Sequence, residues 1–194
     1  MMQSTDTQPR FPMSMRILHW LTAAMVLSML FIGVSMVASL ANYHRLVSIH
    51  RPLGMLLWIV VIIRFVNRKR SKLPPFPPTM SPLERQVAHA SELLMYSLLF
   101  ALPLVGWGML SAGSYPIIMV GSLHLPAILP ADPTLYAILR KAHTILAYSL
   151  FGIFLAHLTA VLFHTLVVRD RLLGRMSVWD CPAPKAIQPE NPSV

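Results

Sequence analysis

Twenty-seven consecutive residues, Ala142 to Val168, contain no Asp, Glu, Lys or Arg, and charge brackets them: Arg140 and Lys141 before, Arg169 and Asp170 after. About 20 apolar residues suffice to carry a helix across a bilayer, so this stretch can span one. It nevertheless holds His143, His157 and His164. An imidazole in hydrocarbon is costly, and such residues face the protein interior and mark function. His143 and His157 stand 14 positions apart, close to four turns at about 3.6 residues each, so both rings leave nearly the same face about 21 Å apart along the axis. Two ligands stacked in this way suit two haems, one near each membrane surface. A single membrane histidine is as well explained by a hydrogen bond to a neighbouring helix, so the pair requires partners elsewhere in the chain.

The rest of the sequence supplies three more spans. The chain is 55% hydrophobic and 12% charged, with a mean hydropathy of +0.60, whereas soluble domains carry about 25% charged residues. Apolar runs are expected at Ile17 to Leu40, Leu46 to Val66 and Val87 to Leu110, with His19 in the first, His50 in the second and His89 in the third. The run from Ile17 is long enough to span and shows no small-residue cleavage site, so it reads as a membrane helix and not a signal peptide. Pro52 is placed in the opening turns of the second span, where proline is tolerated. Ser81-Pro82-Leu83-Glu84 reads as a helix start, with Ser as cap and Glu three residues on. Residues Ser111 to Leu139, with Pro126, Pro130, Pro133 and His124, are expected to form a loop carrying a short interfacial helix or a lid on the membrane surface. The fold class is therefore an all-α membrane protein, a four-transmembrane-helix bundle. Residues 1–175 form that domain, and residues 176–194 a tail without fixed structure.

The net charge of +9 is a topology signal in so apolar a chain, and nucleic-acid binding is set aside. The N-terminus, the basic proline-rich loop from Arg68 to Pro78 and the C-terminal tail hold most of the Lys and Arg, which places all three, and both termini, in the cytoplasm. That orientation sorts the histidines by depth. His50 and His143 fall near the periplasmic surface, and His19 and His157 toward the cytoplasm, each pair joining two helices. Helix bundles build cofactor sites from inward side chains in this manner. The only cysteine, Cys181, lies in the tail, and no C-x-x-C-H attachment occurs, so any haem is held non-covalently, as haem b. Two histidines on one iron leave no open position, which favours electron transfer.

Several short motifs carry a resemblance to the bacterial cytochrome b561 family. They are Arg16-Ile-Leu-His-Trp20, His50 with Pro52-Leu-Gly54, Ile63-Arg-Phe65, Val87-Ala-His89, Leu102-Pro-Leu-Val-Gly106, Lys141-Ala-His143 and Ala156-His157. The chain resembles that family over residues 14–175. The resemblance implies a di-haem four-helix cytochrome of the inner membrane, of the superoxide:ubiquinone oxidoreductase type, with His19, His50, His143 and His157 as axial ligands of two haem b irons.

Other polar residues take secondary roles. Arg51, beside His50, is positioned to neutralise a haem propionate, and Arg64 to meet a propionate or a quinone. His89 and His164 are candidates for a quinone pocket near the cytoplasmic haem. Arg45, Arg51, Arg140 and Lys141 make the periplasmic end basic, which would draw in a small anion. The expected function is electron transfer from a periplasmic donor, with superoxide preferred, to the ubiquinone pool. The alternative is a module passing electrons from quinol to a partner protein.

Overall fold

The computed structural model describes residues 10–76, 80–119, 121, 123–169 and 172–178. Four long helices account for most of them: α1 (Met13–Ala38), α2 (Tyr43–Arg70), α3 (Pro82–Ala112) and α4 (Pro133–Phe163). A π-helical turn, His164–Val168, prolongs α4, and a short α5 (Leu172–Met176) follows. Arg169 ends the π turn in the left-handed region at φ 57°. All four long helices are long and apolar enough to cross a membrane. Their outward faces are lined with exposed large apolar side chains, such as Phe31, Val37, Leu93 and Leu166, as a lipid-facing surface requires.

Helix boundaries follow from local chemistry. Ser81 and Glu84 close a full capping box, each side chain taking the other's backbone N–H, with Pro82 in the first position. Asp132 caps α4 by accepting from the N–H groups of Thr134 and Leu135, with Pro133 next. That cap starts α4 nine residues ahead of the expected span, so the loop expected to reach Leu139 ends at Asp132. A charge-free run marks the part of a helix inside hydrocarbon, and Arg140 and Lys141, both exposed, ride on the same helix above it. α2 likewise begins at Tyr43, which puts Pro52 well inside the helix instead of in its opening turns.

α1 packs along α2 and α3 along α4, with α2 and α3 in lighter contact, whereas α4 is not closely packed on α1 or α2. The buried core joins Met25 and Val26 of α1, Leu57, Val60 and Val61 of α2, Tyr96, Leu98 and Leu99 of α3 and Leu150 of α4. Leu150 is the only buried residue of α4. Backbones therefore stand apart between α4 and the α1–α2 pair, and side chains fill the approach. The segment from Gly113 to Asp132 lies over the end of the bundle opposite the N-terminus. It forms no interfacial helix among its described residues. An isolated antiparallel bridge between Ile118 and His124 shapes it, and bonds from Trp107 to the Pro126 carbonyl and from Ile128 N–H to Ser111 tie it to α3. Of the two expectations for this segment, the interfacial helix is therefore not formed among its described residues. Trp179 and Cys181 of the tail lie outside the described residues.

The α3 cap provides a stability test. Ser81→Ala removes one arm of the capping box and should cost about 1 kcal/mol. A thermal melt in detergent should show a lowered midpoint for this variant and no change for Ser97→Ala, whose hydroxyl bonds only its own helix.

Candidate functional site

The four histidines singled out by depth meet in two pairs. The His19 and His157 rings, from α1 and α4, have centroids 6.5 Å apart and planes inclined by 57°. The His50 and His143 rings, from α2 and α4, lie 6.3 Å apart with planes at 69°. One unbroken helix contributes a member to each pair, so the pairs stand about 21 Å apart along α4. All four rings are at least partly buried.

The surroundings of each pair differ. At His50–His143, both Nδ1 atoms are buried without a well-formed hydrogen bond, and the Leu102 carbonyl neighbours the His143 ring. Gly106 gives that ring its space: a Cβ there would stand 3.3 Å from His143 Cε1. Arg51 reaches over from α2 and donates to the Pro116 carbonyl at 3.2 Å, while its Nε is buried with no partner. At His19–His157, Arg64 donates to His19 Nδ1 at 3.0 Å and lies 5.6 Å from the Tyr96 ring centroid. One turn further along α2, Arg68 forms a two-point ion pair with Glu92 of α3.

The separation of the rings decides what a pair can hold. An iron between two imidazole nitrogens, at metal–nitrogen distances of about 2 Å, places the ring centroids a little over 6 Å apart once the ring radii are added. Both observed separations fit. The Leu102 carbonyl beside the His143 ring fits as well, because an imidazole bound through Nε2 turns its other nitrogen to a second partner. Among the described residues, no group of three or more His, Cys, Asp or Glu could hold a bare metal ion, so the pairs are the arrangement available.

The remaining expectations resolve unevenly. Arg51 and Arg64 do lie beside the histidine pairs. His89 packs edge-on against Phe76 at 5.0 Å, and His164 sits in the π turn against Phe163 at 6.0 Å. Arg45, Arg140 and Lys141 are exposed, and the last two line a shallow cleft with Tyr136 and Thr144. The sequence reading missed Arg16, which is 9% exposed. It also missed the Arg68–Glu92 pair. The i, i+3 spacing of Arg16 and His19 was the available signal for the first.

Fold and site together define a multi-pass membrane protein with two stacked histidine pairs, the form of a haem-binding electron carrier. The sequence matches the profile of the prokaryotic cytochrome b561 family over residues 10–178. It is 33% identical over 179 residues to cytochrome b561 homolog 2 of Escherichia coli K12, covering 90% of this chain and 95% of that one. It is 30% identical over 128 residues to the probable superoxide oxidase CybB of Yersinia pestis, covering 66% and 72%. Cytochrome b561 homolog 1 of E. coli K12 is 23% identical over 176 residues. The chain belongs to the prokaryotic cytochrome b561 family. It is a multi-pass electron-transfer protein of the bacterial inner membrane that binds haem b.

Gly106 offers a direct check of the site. Gly106→Val puts branched carbons where the His143 ring now lies and should lower the haem bound per chain. Absorbance at the haem band relative to protein should fall in this variant, and Gly33→Val, at a position with nothing within 4 Å, should leave the ratio unchanged.

Proposed function

We propose that the protein is a superoxide:ubiquinone oxidoreductase holding two haem b groups. The single observation that carries the two-haem core of this reading is the ring separation in both histidine pairs, 6.5 Å and 6.3 Å. In it, His19 and His157 are the axial ligands at the cytoplasmic end, and His50 and His143 those at the periplasmic end. Bound haem supplies reversible one-electron iron chemistry, with both axial positions taken by imidazole.

The chain's own residues then divide the work. Arg51, with its buried and unpaired Nε, holds a carboxylate of the periplasmic haem. Arg64 now donates to His19 Nδ1, which makes that nitrogen an acceptor and leaves the proton on Nε2. Ligation through Nε2 requires the opposite tautomer, with Nδ1 as donor. With iron on His19 Nε2, Arg64 could not keep this bond, and its guanidinium would be free to meet a haem carboxylate or a quinone oxygen. The overall reaction takes one electron from each of two superoxide anions, which leave as dioxygen. Ubiquinone gains both electrons and two protons and leaves as ubiquinol.

Arg45, Arg140 and Lys141, all exposed, favour superoxide as the donor, since exposed cations beside a site raise the encounter rate of a small anion. The likeness to a relative named probable superoxide oxidase supports the same choice. Two membrane faces are implied: donor at the periplasmic end, with the N-terminus, the Arg68–Pro78 loop and the tail in the cytoplasm.

Haem content tests the ligand assignment. A pyridine haemochrome assay should give two haems per chain for the parent protein and one for each of His19→Ala, His50→Ala, His143→Ala and His157→Ala. One haem in the parent protein would contradict the reading.

Electrostatic steering gives a second test. Arg45→Gln and Lys141→Gln should each slow reduction by superoxide in stopped flow while leaving the absorbance spectrum intact. Raising ionic strength should slow the parent protein as well, since exposed charges are screened beyond about 8 Å at physiological salt. Steering of this kind is worth roughly 10- to 1,000-fold in rate. A rate indifferent to salt and to both substitutions would favour a protein as the partner instead.

A further inference from the structure

The short α5 is fastened to the start of α1 by a set of bonds that serve neither membrane packing nor ligation. Arg10 donates to the carbonyls of Gly174 and Ser177 at 3.4 and 3.3 Å, and Phe11 N–H to Arg175 at 3.3 Å. Arg16 donates through Nη1 to the Ser177 carbonyl at 2.8 Å, and the Trp20 indole N–H to Met176 at 2.9 Å. In return Arg175, 5% exposed, donates to Pro75 of the α2–α3 loop at 2.7 Å. The last carbonyls of a helix have no partner within it and attract cations. Here two arginines, an indole and a backbone N–H supply what α5 lacks. The three segments at this end of the bundle are thereby latched together.

The latch touches both helical neighbours of His19. Trp20 meets the His19 ring edge-on at 5.8 Å, and Arg16 stands three residues before His19, on the same side of α1. Arg16 is 9% exposed. Its Nη1 is used by Ser177, and its Nε is buried with no partner. A guanidinium at this depth is costly unless it is paired. Arg68 already takes Glu92, and among the described residues no carboxylate pairs with Arg16. The chemistry that would complete it is a carboxylate arriving with a ligand at the His19–His157 pair.

We infer that Arg16 couples the C-terminal latch to the haem at His19–His157, holding the Ser177 carbonyl with one nitrogen and a haem carboxylate with another. This rests on the proposed ligation by His19 and His157. Occupation of that site fixes Arg16 and with it the turn from Gly174 to Ser177, so bound haem reinforces the latch already made by the Arg16–Ser177 bond. Arg16 is a positioning residue in this account. It also adds a positive charge beside the haem, which favours the reduced state.

The test uses the full-length, haem-loaded protein with three readouts: haem per chain, the midpoint potential of each haem, and amide hydrogen exchange over residues 172–177. Arg16→Gln should loosen haem retention at this site roughly 10- to 100-fold, the effect of losing one charge-assisted hydrogen bond. It should also lower one midpoint potential of the two and speed exchange in the latch. Arg16→Lys should keep most of the potential, since the charge remains, and lose part of the retention, since the planar fork does not. Arg10→Gln should speed latch exchange without moving either potential. If Arg16→Gln changes neither potential nor exchange, the coupling is wrong. It is also wrong if Arg10→Gln shifts a potential as far as Arg16→Gln does, because the latch alone would then be responsible. A parent protein lacking the haem at His19–His157 would instead overturn the ligation on which the inference stands.

Discussion

A ring nitrogen or a guanidinium at membrane depth must find a partner, and the architecture of this cytochrome b561 follows from how its partners are arranged. Lipid offers no hydrogen bonds, so each buried polar group either pairs within the bundle or waits for a ligand. His19 faces His157 and His50 faces His143. Arg68 has Glu92. What is left unpaired is confined to a few atoms, among them His50 Nδ1, His143 Nδ1, Arg51 Nε and Arg16 Nε. Three of these belong to the His50–His143 end and one to the His19–His157 end, and each sits on or beside a histidine that meets another.

The packing of the helices serves the same end. α1 with α2 and α3 with α4 form two close pairs, and α4 faces the first pair across side chains, not backbone contact. A bundle packed equally on all sides would have closed over the histidines. Gly106 contributes at one point, keeping α3 clear of the His143 ring. At the two ends the chain closes the bundle differently: with the segment from Gly113 to Asp132 at one, and with the bonded turn of α5 at the other.

Much of this was legible in the sequence because hydropathy and histidine spacing are long-range signals. The four spans depend on hydropathy and length, and the two-by-two sorting of the histidines on their spacing and on the charge-based orientation. The start of α4 was misplaced because the charge-free run ends at Lys141, while the helix is begun by Asp132 and Pro133, whose capping chemistry is local. The lid was expected as a possible interfacial helix because its composition is apolar, but composition does not report the prolines' effect on backbone pairing. Arg16 escaped notice for a different reason. Its significance comes from Ser177, 161 positions away, and from a buried Nε, and neither contact nor burial is written in the order of residues. The pairing of Arg68 with Glu92 is hidden in the same way.

The account stands on two irons, each held by two imidazoles. Cryogenic electron paramagnetic resonance of the oxidised, purified protein, together with near-infrared magnetic circular dichroism, reads axial ligation most directly. Two low-spin ferric signals, both with the charge-transfer position of bis-imidazole haem, are the predicted result. A high-spin signal from intact protein, or a charge-transfer band belonging to a ligand other than imidazole, would contradict it.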